Sequence, residues 1–253
     1  MDYQNVHLTA HELFAISKHL PRHESLVDPM HFGNQLIIAR NRAQRAGMDH
    51  AVLSRVLVYR GQPSVEHDPK PYARNQAQKA HWERDQRVTV THRPLKYRYE
   101  HDSEGRLLLG ADGNKVVESK GEKGIDVLCA LAVVREAQRA DVDLVILASH
   151  DSDLEPALDE ALALRSAKIE TFSWYDPAQR HRIRQLRPGT GRSIWNTHLG
   201  VILSRSQGVV DVVDEHRRSP ILPGGCGYLR PSSTRCPGRF DARSASGDAL
   251  VTA

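Results

Sequence analysis

The sequence predicts an α/β fold with a mainly parallel central sheet, and two features of the chain support this. Short apolar segments alternate with amphipathic ones between residues 56 and 174. Such an alternation is typical of parallel strands joined by right-handed helical crossovers. The segment 142–149 is almost continuously apolar, as expected of a central strand that helices cover on both faces.

The first half of the chain predicts helices and two strands. Pro21, Pro29 and Gly33 interrupt a stretch whose apolar residues otherwise favour a helix. A run of β-branched and aromatic residues that ends at a Gly–Pro loop predicts a buried strand. The predicted elements are a broken helical stretch at 11–46, a strand at 56–59, a polar helix at 72–85 and a strand at 88–90.

The second half predicts a hairpin and then alternating helices and strands. The triplet Asp112-Gly113-Asn114 predicts a turn inside a polar stretch. Asp153 and Glu155 stand where the dipole of a helix N-terminus favours acidic side chains. The predicted elements are a hairpin at 95–120, a helix at 125–140, a strand at 142–149, a helix at 152–165 and a strand at 168–174.

The C-terminal part of the chain differs in composition from the rest. Residues 206–253 are rich in Gly, Pro, Ser and Arg and show no sustained periodicity, which is typical of disorder. We therefore expect one domain at 1–204 and a low-complexity, disordered tail at 205–253 that the domain does not need for folding.

Length and composition limit the class of protein. The chain has 253 residues, 40% of them hydrophobic, which is enough for one large domain with a core. No apolar run reaches the roughly 18 residues of a membrane span, and the first residues lack a secretory signal, so we expect no membrane partner. The three cysteines, Cys129, Cys226 and Cys236, form no C-x-x-C pair. These features predict a cytoplasmic protein without a disulfide scaffold or a cysteine zinc site.

The charge balance mildly favours a polyanionic partner, because the net charge is +4 and the isoelectric point is near 9.0. An arginine cluster after the strand at 168–174 would suit an RNA backbone, although a solvated surface is the more common role of such a run. The cluster comprises Arg180, Arg182, Arg184, Arg187 and Arg192. Neither a phosphate-loop motif nor a Gly-x-Ser-x-Gly elbow is present, so nucleoside triphosphate binding and serine hydrolysis are not indicated.

Acidic residues follow the predicted central strand, and ligands of open α/β sheets bind outside the carboxyl ends of the strands. Asp151 and Asp153 come directly after the segment 142–149. Carboxylates are suitable ligands for Mg²⁺. A helix cap formed by Asp151 or Ser152 explains the same pattern and is the more common role.

Two further segments carry acids that the fold could bring to the same end of the sheet. Asp126 lies at the start of the predicted helix at 125–140, where the helix dipole offers an alternative explanation. Asp2 is followed by Asn5 at the extreme N-terminus, where simple surface polarity is the alternative. Each signal is weak alone, and only their combination predicts an acidic pocket.

Together these segments resemble the NYN domains, a family of PIN-like nucleases. Asp2–Val6 resembles the D-x-x-N start of these domains, and Glu122–Val127 resembles their K-G-x-D helix start. Ile146–Leu154 is similar to their apolar strand followed by S-x-D-S-D and then Phe or Leu. The order and the intervals match over about residues 1–200, and the combined motif is more specific than any of its parts.

The resemblance implies a PIN-like three-layer α/β/α sandwich that hydrolyses RNA phosphodiester bonds as an endonuclease. It implies Mg²⁺ or Mn²⁺ in an acidic pocket, because metal ions activate water and offset the charge of the phosphate. RNA is the implied partner, and a homo-oligomer is compatible with the sequence. The implied catalytic and metal-binding residues are Asp2, Asp126, Asp151 and, directly or through water, Asp153. The implied substrate-binding residues are Asn5, Lys123 and Ser149, with a solvated side chain as an equal alternative for Lys123.

Two positions depart from the family pattern. The family's first Asp ends an apolar strand, whereas Asp2 directly follows Met1, so that strand is absent from the sequence. Because a parallel sheet without a central strand exposes unpaired backbone groups, we expect translation to begin upstream; peptide mass mapping of the native protein tests this. His150 stands where the family usually has a small residue.

Two other function classes stay open, the first because of these departures and the second because of the D-x-D pattern at Asp151 and Asp153. A non-catalytic RNA-binding or regulatory module would keep the fold without turnover, and an Asp126→Asn variant that folds but loses cleavage would argue against it. A Mg²⁺-dependent phosphatase with a nucleophilic Asp would release inorganic phosphate from small monoesters, which a nuclease should not do.

Overall fold

Helices and parallel strands alternate along the chain in a computed structural model, which describes residues 1–14, 21–176, 185–203, 210–213 and 248–252. The helices are α1 (Tyr3–Leu13), α2 (Pro29–Ala43), α3 (Pro69–Trp82), α4 (Ile125–Ala137) and α5 (Glu155–Leu164). The strands are β1 (Val52–Gln62), β2 (Val88–Pro94), β3 (Lys96–Tyr99), β4 (Val117–Gly121), β5 (Leu144–Leu147), β6 (Lys168–Trp174), β7 (Asn196–Leu203), β8 (Val210–Val213) and β9 (Asp248–Thr252).

Seven strands of the described ranges form one open sheet in the order β2-β1-β9-β5-β6-β7-β8. Its neighbouring strands run parallel, except that β8 is antiparallel to β7. Strands β3 and β4 form the predicted hairpin, with Gly113 in the left-handed region at its turn (φ +77°). The mainly parallel α/β sheet predicted from the sequence is thus confirmed.

Helices pack against both faces of this sheet. On one face, α1, α2 and α3 bury residues such as Phe32 against Ile146 and its neighbours. On the other face, α4 and α5 bury residues such as the free thiol of Cys129 against Val145 and Leu147. Successive side chains of β5 therefore enter different cores, which explains why this segment is apolar at every position.

The start of α2 shows how local residues fix one helix boundary. Pro29 is the first residue of α2, where the missing N–H of proline costs no hydrogen bond, and Asp28 caps the helix by accepting from the amide of His31 (2.8 Å). Gly33 allows α2 to approach β1 closely, since a Cβ there would lie 2.9 Å from Cγ2 of Val56. Both residues were expected to interrupt a helix, and they instead position one.

Strand β9 lies at the centre of the sheet, between β1 and β5 and parallel to both. The first two residues continue its line toward the carboxyl edge of the sheet. The amide of Tyr59 donates to the carbonyl of Met1 (3.0 Å), and the amide of Asp2 donates to the carbonyl of Ala148 (3.1 Å). The sequence contains no strand directly before Asp2. In the sheet, β9 together with Met1 and Asp2 occupies the place expected for that strand.

Three strands after residue 174 were not predicted from the sequence. Strands β8 and β9 come from the predicted tail at 205–253, so the expectation of disorder is wrong for these two segments. Their short apolar runs show no periodicity of their own, because long-range hydrogen bonds to other strands define them. The rest of the tail, with Cys226 and Cys236, lies outside the described residues.

Within the described ranges, no helix combines the length and the apolar character needed to cross a bilayer.

Candidate acidic site at the carboxyl edge of the sheet

An acidic cleft of about 540 Å³ lies at the carboxyl edge of the sheet, beside the ends of β4 and β5. It brings together acids from the N-terminus, the start of α4 and the loop after β5, as expected for an open α/β sheet. Two cations, Arg93 and Lys123, also line it. The lining residues are Asp2, Arg93, Glu122, Lys123, Gly124, Ile125, Asp126, Val127 and Asp151.

Asp2 is the most buried carboxylate of the cleft, with 6% of its surface exposed. It caps α1 by accepting from the amide of Asn5 (3.3 Å). Burial raises the pKa of the Asp2 carboxyl, and the negative charge of Asp151 adds to the effect, while hydrogen bonds from Asn5 and Ser149 oppose it. Asp2 is thus a buried capping residue that lines the cleft, and the alternative of simple surface polarity is wrong.

Ser149 connects two of the cleft's aspartates and is fully buried. Its Oγ donates to Oδ2 of Asp2 (3.1 Å) and accepts from the amide of Asp151 (3.1 Å). Asn5 makes a parallel link, because its Oδ1 accepts from the amide of His150 (2.8 Å). Both residues were expected to bind the substrate, and here their side chains connect the N-terminal segment to the loop after β5.

Asp151 combines the two roles that the sequence left open. Its Oδ1 accepts from the amide of Asp153 (3.0 Å), so it caps the short 3₁₀-helix at Ser152–Leu154, and it also lines the cleft. Asp153 is exposed and does not line the cleft. The structure therefore groups Asp151, but not Asp153, with the other predicted acids.

The start of α4 presents the second predicted acid. Gly124 precedes the helix in the left-handed region (φ +76°), and a Cβ there would lie 3.2 Å from the guanidinium of Arg93. Glycine suits this position because other residues are strained at positive φ. Asp126 lies in the first turn of α4 and faces the cleft, while Lys123 is exposed at its rim and accepts from Arg93 through its carbonyl (2.6 Å).

Glu122 is a cleft residue that the sequence interpretation missed. It is half-buried and accepts from the amide of Gly61 through Oε1. Burial raises the pKa of its carboxyl to about 7, with the charge of Asp2 contributing in the same direction. The signal was present, because Glu122 begins the segment whose Lys123 and Asp126 were singled out.

The donor set of the cleft suits a hard divalent cation. Mg²⁺ and Mn²⁺ prefer oxygen ligands, and four carboxylates line this one cleft. Burial raises the pKa of Asp2 and of Glu122, and repulsion from a neighbouring carboxylate adds a smaller effect that a divalent cation would offset. In the described ranges, no three His, Cys, Asp or Glu side chains are grouped closely enough to form a ready-made ligand set.

His150, which was expected to depart from the family pattern, is half-buried and packs against the aromatic core. Its ring packs 5.0 Å from that of Phe172, and its Nε2 accepts from the amide of Trp174 (3.4 Å). Burial lowers the pKa of His150 to about 4, so the ring is neutral near pH 7. His150 does not line the cleft, since its ring is directed toward Phe172.

The described part of the arginine cluster after β6 does not line the acidic cleft. Arg187 and Arg192 are exposed, and neither lines the cleft. Arg180, Arg182 and Arg184 lie outside the described residues.

Comparisons of the chain with protein-family models, with curated proteins and with solved structures found no match. The functional interpretation therefore rests on the chain's own motifs and on the geometry of the cleft.

Proposed function

We propose that this protein is a metal-dependent endoribonuclease of the NYN type, with a PIN-like sandwich fold, that hydrolyses RNA phosphodiester bonds in the acidic cleft. One observation carries the proposal. Asp2, Asp126 and Asp151 come from three distant segments, and all three line the same cleft at the carboxyl edge of a parallel sheet. The motif resemblance singled out these same aspartates.

The proposed ligands of Mg²⁺ or Mn²⁺ are Asp2, Asp126 and Asp151, with Glu122 as a fourth carboxylate of the cleft. The ion would activate water and stabilise the charge that develops on the phosphate. Ser149 holds Asp2 against the loop that carries Asp151, and both aspartates line the cleft.

The other polar groups of the cleft support substrate binding and proton transfer. Lys123 and Arg93 place positive charge at the rim, where an anionic phosphate must pass the carboxylates. Because its pKa is raised to about 7, Glu122 can exchange a proton with water or with a leaving oxygen near neutral pH.

The test is Mn²⁺-dependent cleavage of a labelled structured RNA by the wild type and by the Asp126→Asn/Asp151→Asn double variant. We expect the variant to lose about 100-fold or more in rate, since even outer partners of metal ligands contribute 10–100-fold. The matched control is Asp49→Asn/Glu160→Gln, which removes two exposed charges outside the cleft and should retain the wild-type rate.

Three results would overturn the proposal. Equal rates for the wild type and the cleft variant, with both folded, would separate the activity from the cleft. RNA binding without cleavage under any metal condition would identify a non-catalytic module instead. Release of inorganic phosphate from small monoesters would indicate a phosphatase.

A further inference from the structure

A second cleft, of about 370 Å³, lies beside the acidic one and has the opposite charge. Four cationic side chains line it, and no carboxylate of the described residues does. These cations come from the loop after α1, from β1, from α3 and from β4. They are Arg22, Arg60, Arg74 and Lys120.

Arg60 is the central cation of this basic cleft. Its guanidinium lies 4.7 Å from the ring centroid of Tyr3 and 5.7 Å from that of Trp82, and it donates a hydrogen bond to Gln78. In the described part of the chain, no carboxylate lies within ion-pair distance of Arg60; burial lowers the pKa of its guanidinium, and the negative charge of Glu122 partly opposes this effect. Arg60 is half-buried, so a phosphate in this cleft would add the direct anionic partner that its guanidinium lacks among the described side chains.

Two other cations of the cleft are available to a ligand. Arg74 forms no ion pair with any described residue. Arg22 has only a 3.6 Å contact with Glu12, in which both side chains are more than 60% exposed, and such surface pairs contribute little. Lys120 is already paired with Asp68 (2.5 Å), so it contributes less to an incoming anion.

The two clefts share a wall. Gly61 lines the basic cleft, and its amide donates to Glu122, which lines the acidic one. Tyr3 lines the basic cleft and directly follows Asp2 of the acidic cleft. An extended anionic chain could therefore occupy both clefts at once.

We propose that the basic cleft binds the backbone phosphates of the RNA strand next to the phosphate held in the acidic cleft, with Arg60, Arg74 and Arg22 as its anchors. The identity of the polyanion as RNA rests on the proposed nuclease function. Guanidinium groups suit this role because they bind phosphate oxygens in a bidentate manner. Cations beside the carboxylates also offset the repulsion that an acidic cleft exerts on a polyanion.

The test measures the affinity of the full-length chain for a short, labelled single-stranded RNA in EDTA at several KCl concentrations. Omitting the metal separates binding from cleavage. We expect Arg22→Gln/Arg74→Gln to weaken binding roughly 10-fold at low salt and to reduce the slope of log K against log salt by about 0.7 for each lost phosphate contact. The control, Arg45→Gln/Arg84→Gln, removes the same charge from exposed positions outside the cleft and should bind like the wild type.

Arg60→Gln is measured separately, with circular dichroism as the test of folding, because Arg60 packs on two rings. The proposal is overturned if the Arg22/Arg74 variant keeps the wild-type affinity and slope, if the control loses as much, or if the wild type binds no RNA. The proposal is supported if the wild type binds RNA in a salt-dependent manner and only the variants of the basic cleft lose this binding. If no metal then gives cleavage, the nuclease proposal fails while the basic cleft stands.

Discussion

The hydroxyl of Ser149 donates a hydrogen bond to Oδ2 of Asp2 at 3.1 Å, between residues that are 147 positions apart in sequence. The hydroxyl oxygen of Ser149 also accepts a hydrogen bond from the amide of Asp151 at 3.1 Å. One buried hydroxyl thus couples the first residues of the chain to the loop after β5. The orientation of one candidate metal ligand therefore depends on the segment that carries another.

Replacing Ser149 with alanine should reduce RNA cleavage more than it reduces stability. We expect a loss of about 10–100-fold in rate, as for other partners that orient metal ligands, and a loss of about 1–3 kcal/mol in the free energy of unfolding. Single-turnover cleavage and urea unfolding measure the two effects. Ser166→Ala, at an exposed position, is the control, and an unchanged rate for Ser149→Ala would exclude the positioning role.

Glu122→Gln should change how stability depends on pH. The pKa of Glu122 is raised from 4.5 to about 7 in the folded state, so the folded protein binds more protons than the unfolded chain between these values. At low pH the Glu122 carboxyl is protonated in both states, and its burial costs no ionisation free energy. As pH rises from about 4.5 to about 7, the free energy of unfolding falls because the unfolded chain ionises more readily. Relative to the wild type, the glutamine variant should gain stability over this window, most fully above pH 7.

The comparison between variant and wild type removes an opposing effect of the buried histidines. Burial lowers the pKa values of His7, His92 and His150 to about 4, so stability also falls as pH drops from about 6.5 to 4. Both proteins carry these histidines, and their effect cancels in the difference. Thermal unfolding at pH 5 and pH 8 measures that difference, and an equal difference at the two pH values would contradict the assignment.

Mn²⁺ should stabilise the folded protein through the acidic cleft. A ligand that binds only the folded state contributes about 2.7 kcal/mol at a concentration 100 times its Kd. We expect the melting temperature to rise with Mn²⁺ and to return to its original value with EDTA. The Asp126→Asn/Asp151→Asn variant should show no such rise, whereas Asp49→Asn should respond like the wild type. A shift of equal size in all three proteins would place the cation elsewhere.

Removing Glu170 should strongly destabilise the core of the domain. Its side chain is fully buried, and its two oxygens accept from Nε and Nη2 of Arg40, each at 3.2 Å. Glu170→Gln leaves the buried guanidinium of Arg40 without its full counterion, which should cost about 3–5 kcal/mol. The control Asp85→Asn breaks the more exposed pair with Arg87 and should cost much less, because exposed ion pairs contribute little to stability. Similar losses in urea unfolding of the two variants would contradict this ranking.

A chain that ends at Gly247 should lose stability, because it lacks β9. This strand pairs with β1 on one side and with β5 on the other, so its removal leaves two central strands with unpaired backbone groups. We expect a weaker, less cooperative urea transition by circular dichroism. A chain that lacks only Ala253 is the control, and equal transitions for the two would show that the sheet does not need β9.

The sequence alone predicted the strands and helices whose patterns are local. The segment 142–149 indicated a central strand because helices bury it on both faces, and the strand at 168–174 was predicted with the bounds that the structure shows. The polar turn at Gly113 likewise indicated its hairpin. In these segments the periodicity of the side chains reports burial directly.

The sequence could not predict the strands that depend on distant partners. Strand β9 is defined by hydrogen bonds to β1 and β5, and nothing in its five residues indicates either partner. For the same reason, composition alone suggested disorder over 205–253.

The candidate site, too, could be predicted from the sequence only in part. Asp126 could be named from the sequence because it stands at a predicted helix start, and Asp151 because it follows a predicted strand. Asp2 could be named only from the motif that it forms with Asn5. Only the tertiary structure showed that these three share a cleft, that Glu122 joins them and that Asp153 does not. The physical reason is that caps and burial patterns arise from neighbours in the chain, whereas a cleft and the pKa of its acids depend on residues that folding brings together from distant segments.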